Sequence, residues 1–597
     1  MSSDILNQYK SLTASSDRTK VSSVLNAIIL APPSSFDAGS RGDLIQLILQ
    51  DVKAFGAGRL LPQDAAKALL AVKTLGREPS GSEVISRSEN VLTLLGLQLS
   101  LKDYPDAASE ALRCIANALL LIEPARHAFL DGEVNGAQFC IPMLDKASTP
   151  DQIFILSRIL FLASASGSHR ILDMVEEKYN GQALVDIIAA KIDLLITPTQ
   201  NRTSMAREAL TDVLKFAFYL LVHYPKLSDG ELQGEDTHGD GKVLGDVWSS
   251  KLDSLLAPAI RVFLALTPMS PCPVAAPLSH AIHALISIPV NASLRPIWFP
   301  PVTTSSRTSS RNSPKSPGTP RGESSQPGSR SQSPGSHKTS TLDRAIAKLT
   351  AGRKSLSRSG SLSRPTSPSV TNPLIVLEKA LELLDISLAR YFPGKIDVDD
   401  PSVNTRVKQD TPQDSLDEML SPLVVLLTRL CSADEPCRTR VRQFIVPDDL
   451  DRSSPLEDRE DLLGRSLRML GSVYHARLKD AIGEMLYAMA DNNASTMSGL
   501  LGYGNVAGFL FNKGVLSAPG ADPNAPTTTS TGEAINPITG TTIQPGSSST
   551  ADMTDEEKER EMEKLLVLFD RLEKTGALPK DQNPIRKAIQ EGKLPNA

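Results

Sequence analysis

The chain has 597 residues, too many for one compact core, so several domains or an extended repeat array are expected. Hydrophobic residues make up 40%, charged residues 22% and the net charge is −5, which is ordinary for a soluble protein and excludes a partner chosen by bulk charge. Aromatics are only 4% while Leu, Ala, Ile and Val recur throughout, a balance that suits helix-on-helix packing and argues against stacked sheets.

Cys114, Cys140, Cys272, Cys431 and Cys437 are scattered and odd in number, which points to reduced thiols and a reducing compartment. The opening MSSDILNQYK lacks the apolar core of a signal peptide. The longest mostly apolar runs, such as Ile115–Ile122, have about 8 residues where a membrane span needs about 20. The expectation is a cytosolic protein, monomeric by default.

Helical periodicity dominates the first half. Segments near 43–55, 64–76, 89–100, 106–122, 150–164, 182–195, 205–223, 250–267 and 277–288 are predicted helices, with no convincing alternating strand. Leu112, Ile115, Ala116 and Leu119 mark one stripe, and Leu210, Val213, Leu214, Ala217 and Leu221 another. The segments return in pairs or triplets roughly every 40–50 residues, the armadillo/HEAT period. The expected fold is therefore an all-α armadillo/HEAT-type helical repeat solenoid over residues 1–300, whose concave face is suited to holding protein segments.

Residues 301–371 break the pattern with Ser, Pro, Gly, Thr and Arg, and are expected to form a disordered insertion. They hold twelve Lys or Arg against two acidic residues. Ser313, Ser316, Thr319, Ser333 and Ser367 each precede a proline, and the Arg353-Lys354-Ser355-Leu356-Ser357 stretch resembles a basophilic kinase site. Ser313, Ser316, Ser333 and Ser357 are candidate phosphorylation sites whose phosphates would cancel the charge. The stretch reads either as a solvated surface loop or as a regulated peripheral contact with acidic lipid or protein. Without aromatic residues it is a poor nucleic-acid binder.

Helices resume over 372–516. Leu377, Leu381, Leu384 and Leu388 form a stripe stopped at Pro393-Gly394, and Leu463, Leu467 and Leu470 are followed by Ile482, Met485 and Met489. Residues 517–551 read as a flexible linker. Over 552–597 an amphipathic tail is expected: Thr554 and Glu557 form a capping box, and Met562, Leu565, Phe569 and Leu572 make its apolar stripe. A second short helix would begin at Asn583-Pro584, with Ile585 and Ile589 inward. Such a tail can dock on its own solenoid or on a partner.

Motifs of covalent chemistry are missing from the sequence: it has no HExxH, no Walker A loop and no GxSxG elbow. His280 and His283 stand at i, i+3 with no further ligand nearby, so they read as packed or surface histidines and no metal site is assigned. Cys431 and Cys437 lack a second pair. The acidic pair Asp399-Asp400 reads as solvated loop charge. Gly502-Tyr503-Gly504-Asn505-Val506-Ala507-Gly508 has GxGxxxG spacing after a helix rather than a strand, which fits a tight interhelical turn better than a phosphate loop. The expectation is no enzyme and no cofactor.

The same residues carry a resemblance. Leu501–Leu510, Ile535-Asn536-Pro537-Ile538-Thr539-Gly540, Met553–Lys558 and Leu566–Leu572 are similar, in the same order, to the closing part of the synembryn family. Glu110–Asn117 resembles one of that family's armadillo helices. The resemblance runs from about residue 40 to the end and leaves 301–371 without a counterpart. It implies a guanine nucleotide exchange factor and folding chaperone for heterotrimeric G-protein α subunits. Such a factor grips the α subunit's C-terminal helix in the concave groove and favours the nucleotide-free conformer. It implies groove contacts from Lys73, Arg77, Arg113 and Asn117, in which cations meet the terminal carboxylate and the amide meets extended backbone. It also implies a partner-binding tail.

Three departures stand out: Lys73 stands where the family often has arginine and loses the bidentate fork, Lys215 occupies a position where asparagine is expected, and the acidic kinase sites of animal relatives are missing from the linker at Pro526–Glu533. On composition and repeat pattern alone, a passive armadillo scaffold that binds peptides without touching a nucleotide cycle ranks higher, since solenoids mostly just bind. Recruitment to a membrane surface through the basic insertion is compatible with either.

Overall fold

The computed structural model describes residues 2–55, 58–229, 247–301, 372–515, 528–543 and Val567. The candidate tail residues Met562, Leu565, Phe569 and Leu572, and the candidate phosphorylation sites Ser313, Ser316, Ser333 and Ser357, lie outside these described residues.

Two rows of helices stack side by side. The first row is α2 (Arg18–Leu30), α4 (Ala65–Leu75), α7 (Pro105–Leu121), α10 (Pro150–Ser164), α13 (Ala206–Ser228), α15 (Leu278–Ser287), α19 (Leu416–Ala433) and α22 (Ala476–Met489), each packed on the next. The second is α3 (Ala38–Lys53), α6 (Ser88–Ser100), α8 (Glu123–Leu130), α9 (Gly136–Lys146), α12 (Leu184–Gln200), α14 (Leu256–Ala265), α17 (Ile375–Tyr391), α21 (Leu462–Leu470) and α24 (Tyr503–Asn512), again in unbroken sequence. Neighbours in the first row, whose helices are the longer ones, pack more extensively than those in the second. This is a helical solenoid.

Local sequence explains the elements. Ala65, Ala68 and Ala71 of α4 are buried, as are Ala107, Ala111 and Ala118 of α7. Small side chains let the backbones approach closely, and the Cys114 thiol donates to the Leu69 carbonyl at 3.4 Å across the gap. Between the rows, leucine and isoleucine fill one continuous core, each contributing about 1.5–3 kcal/mol of burial. Proline at the first turn starts α7 and α10, where its missing N–H costs nothing. A reciprocal Ser415–Glu418 capping box starts α19.

The stack runs on across the insertion: α15 packs directly on α19, and α14 on α17, so the two repeat blocks form one solenoid. The predicted helices fall where the periodicity puts them, with ends shifted by a few residues. Short helices such as α5 (Pro79–Ile85), α11 (Arg170–Glu176) and α20 (Glu435–Ile445) escape a periodicity reading because few apolar positions repeat within them. One strand pair was also missed. Lys178–Tyr179 pairs antiparallel with Gln182–Ala183 through Asn180-Gly181, both at positive φ (51° and 85°), the two-residue turn that Asn-Gly favours.

All five cysteines are buried and unpaired, and burial raises the Cys140 and Cys431 thiols to about 12. Asp399 and Asp400 correct the reading of idle surface charge. Asp399 accepts from the Ser472 hydroxyl at 2.6 Å and from the Val473 N–H at 2.9 Å, just ahead of α22. Asp400 caps α18 (Pro401–Asp410) through the Ser402 N–H at 2.8 Å. No described helix is long and apolar enough to cross a membrane.

Candidate functional site: the first helix row and its C-terminal clamp

Lys73, Arg113 and Asn117 come together on adjacent first-row helices, and Arg77 follows two residues after the end of α4. Lys73 lies in the last turn of α4, and its ammonium is 2.5 Å from Glu110 Oε2 of α7. Glu110 is shared: Arg113 reaches its other oxygen at 3.4 Å and Asp151 of α10 at 2.6 Å. A four-membered ion ladder thus crosses three helices, with Lys73 and Glu110 each only 18% exposed. Two cations and two carboxylates cancel.

Arg77 stands apart just past the end of α4. It is exposed, and its side chain has no partner among the described residues. Asn117 does not satisfy its own helix. Its amide donates 3.5 Å across to the Lys73 carbonyl, one of the acceptors that the end of α4 leaves without an intrahelical donor. The next residues on this face of α7, Leu120 and Leu121, are 54% and 41% exposed. An amide and an exposed apolar step therefore adjoin on α7, with an exposed guanidinium two residues past the end of α4.

Further along the row, aromatic rings take over. Phe161 of α10 stacks on Tyr219 of α13 with centroids 5.8 Å apart, and Tyr219 stacks on His223 at 5.8 Å. Phe218 meets His283 of α15 at 5.8 Å, and His283 meets His280 at 6.0 Å. Lys215 lies 5.4 Å over the Phe161 ring, so this departure from the family pattern packs as a cation on an aromatic face. Burial, with the Lys215 charge and His283 nearby, pushes His280 down to about 3, and burial alone lowers His283. Both are packed neutral histidines. Among the described residues, no group of three or more His, Cys, Asp or Glu stands where it could hold a metal ion. Reading sequence helix by helix missed Glu110, Asp151 and the aromatic row, because their meaning lies in pairs between helices 37 to 65 residues apart. The i, i+3 and i+7 spacing of Glu110, Arg113 and Asn117 was the available signal.

At the far end, the Gly-rich turn and the Ile535–Gly540 stretch prove to be one structure. Gly502 (φ 82°) joins α23 (Ala494–Leu501) to α24. The Tyr503 and Gly504 N–H groups donate to the Pro537 and Ile538 carbonyls at 2.9 and 2.8 Å. Gly502 lies so close that a Cβ there would sit 2.5 Å from the Gly540 nitrogen, and Gly540 itself has φ 72°. Arg452 completes the clamp, donating to the Gly540 carbonyl at 2.7 Å and the Leu500 carbonyl at 2.9 Å, while its own carbonyl accepts from Thr542 N–H at 2.9 Å. The expectation of a single flexible linker over 517–551 is thereby corrected for 528–543. Backbone pairing with the α23–α24 turn, invisible to composition, fixes that segment.

The order of these parts matches known proteins. The family model described as "Guanine nucleotide exchange factor synembryn" matches residues 68–593, covering the ladder helices and the clamp. The chain belongs to the synembryn family. Curated synembryn relatives include the Chaperone Ric-8 of Drosophila pseudoobscura pseudoobscura, 30% identical over 180 residues, which are 28% of this chain and 31% of the relative. The Chaperone Ric-8A of Macaca fascicularis is 27% identical over 165 residues, 26% of this chain and 31% of its own. The Chaperone ric-8 of Caenorhabditis elegans is 27% identical over 176 residues, 27% and 30% of the two chains. The aligned stretches thus span about a third of the curated relatives they match. Among solved structures, one from a study of the interaction between cadherin and β-catenin aligns over 86% of this chain and 99% of its own. Its identity of 12% and TM-score of 0.26 are too low to place residues.

Proposed function

We propose that this synembryn is a non-receptor exchange factor and folding chaperone for heterotrimeric G-protein α subunits, holding the α subunit's C-terminal segment along the first helix row. The observation that carries the reading is the meeting of α4 and α7 at Asn117, which bonds the Lys73 carbonyl, beside the exposed Leu120–Leu121 step, with exposed Arg77 two residues past the end of α4. Arg77 takes the terminal carboxylate through a charge-assisted pair. Asn117, held only by a long hydrogen bond, turns to backbone groups of an extended segment. Leu120 and Leu121 cover an apolar side chain of that segment.

Exchange in this scheme makes no covalent bond. A groove that holds the C-terminal helix away from the α subunit's body binds the nucleotide-free conformer more tightly than the GDP-bound one, and that difference in affinity drives GDP out. The same preference stabilises an incompletely folded α subunit by mass action, which is chaperone action. The protein works in the cytoplasm, with the basic insertion as its point of contact with the anionic membrane surface that α subunits occupy.

The test is release of labelled GDP from a purified α subunit, with and without this protein and with an α subunit shortened at its C-terminus. Accelerated release that disappears with the shortened subunit is expected. Binding without accelerated release would leave a passive scaffold, and absence of binding to any α subunit would remove the reading altogether.

A further inference from the structure

The ion ladder holds a feature that the proposed reading does not use. Lys73 and Arg113 are the cations the groove would offer to an anion, yet both are already spent on Glu110, at 2.5 and 3.4 Å. Their side chains are 18% and 24% exposed, so the cluster is partly screened from water without being sealed. Arg113 is held on its other side by Asp151 at 2.6 Å, whereas Lys73 has no anion besides Glu110 among the described residues. Removing Glu110 would leave two cations on adjacent helices sharing one carboxylate.

We propose that Glu110 is the specificity-determining residue of this groove: it occupies Lys73 and Arg113 in the free protein until a ligand's own carboxylate exchanges with it. This inference rests on the reading that the groove takes a chain terminus. Its physical basis is a comparison of two ligands. A terminal carboxylate is chemically equivalent to the Glu110 side chain, so it can replace Glu110 at the half-buried cations while Glu110 moves into water, and the number of ion pairs is conserved. An internal or amidated segment brings no anion. Displacing Glu110 would then leave the half-buried Lys73 without an anion and Arg113 with Asp151 alone, a cost that exceeds what neutral hydrogen bonds return. Glu110 therefore acts as a gate on ligand charge, and the exposed Arg77 just past the end of α4 draws the incoming carboxylate.

The test uses the full chain and two synthetic peptides with the sequence of an α subunit's C-terminal segment, one a free acid and one an amide, with affinities from fluorescence anisotropy. Wild type is expected to prefer the free acid. Glu110→Gln frees Lys73 and leaves Arg113 to Asp151 alone, so the free acid should bind about tenfold more tightly while the amide changes less than about twofold. Adding Lys73→Gln to Glu110→Gln should remove most of that gain. If Glu110→Gln does not fold by its melting curve, Glu110→Asp retracts the carboxylate by one methylene, and about a threefold gain for the free acid alone is expected.

Weaker binding of the free acid to a folded Glu110 variant, or equal changes for both peptides, would overturn the exchange and make Glu110 a brace for Lys73. A wild-type protein that binds neither peptide would overturn the groove reading first, and this inference with it.

Discussion

The ion ladder on α4, α7 and α10 and the glycine clamp around Gly502 use polar groups in opposite ways. In the clamp the polar groups are consumed by one another: the Tyr503 and Gly504 amides, the Pro537, Ile538 and Gly540 carbonyls and the Arg452 guanidinium all pair. At the ladder the groups are balanced in charge but accessible, and Arg77 is left over. The comparison teaches that the residues by which a family is most easily recognised need not be those that touch its partner. Backbone approach tolerates only glycine and so leaves a legible signature, whereas a binding face can be built from many residue types.

Breaking the clamp should have the largest effect. Gly502→Val places a branched side chain at φ 82°, with its Cβ 2.5 Å from both the Gly540 nitrogen and the Thr539 carbonyl carbon. We expect a loss of about 3 kcal/mol or more, seen as early melting and rapid proteolysis near 528–543, with groove affinity for a peptide nearly unchanged. A somewhat smaller effect is expected from Arg452→Met, which keeps the bulk but leaves the Gly540 and Leu500 carbonyls without their donor. About 2 kcal/mol is the expected cost. Faster hydrogen exchange at Tyr503 and Gly504 would report it, and unchanged protection there would mean the loop holds without Arg452.

At the ladder the expected outcome is inverted. Arg77→Ala removes an exposed side chain that supports nothing else, so the melting temperature should stay within a degree or so. Free-acid peptide affinity should fall about tenfold, measured by anisotropy as above. A drop in stability with unchanged affinity would place Arg77 with the clamp residues, as part of the fold.

How much of this was readable follows from the same contrast. The stripe of Leu112, Ile115, Ala116 and Leu119 specified its helix because 3.6-residue periodicity is local, and the stack of such helices followed from its recurrence. Lys73 and Asn117 were legible only as members of a familiar pattern. That Lys73 is neutralised by Glu110, and that Asn117 bonds the Lys73 carbonyl, depends on the register between helices 37 and 44 residues apart in sequence. No local rule fixes that register. Likewise the Gly502 turn was recognisable, but its partner Gly540 lay in a stretch whose Pro, Thr and Ser content reads as linker. Asn180-Gly181 was a readable hairpin signal lost among the helices that flank it.

The smallest expected effect sharpens the comparison from a third place, the aromatic row between ladder and clamp. His280 is held neutral by burial, by the Lys215 charge and by His283, with its pKa lowered from 6.5 to about 3. The unfolded chain binds a proton at this site near pH 6.5 and the folded chain does not, so stability is fully present above pH 6.5. It falls as the pH drops from there toward 3. Between pH 6.5 and 5 the loss attributable to His280 should be about 1 kcal/mol after allowance for its partial exposure. His223 and His283, lowered in the same direction by burial, add to the slope. Replacing the imidazole by a ring that cannot titrate, His280→Phe, should flatten the pH dependence of the melting temperature over this window while keeping the contact with His283. If the slope is unchanged, His280 finds an anion or water in solution that keeps its proton, and the row is more open than the ring stacking implies. A flattened slope together with unaltered peptide affinity at the ladder would show that acid sensitivity and ligand recognition, though on the same helix row, are carried by separate side chains.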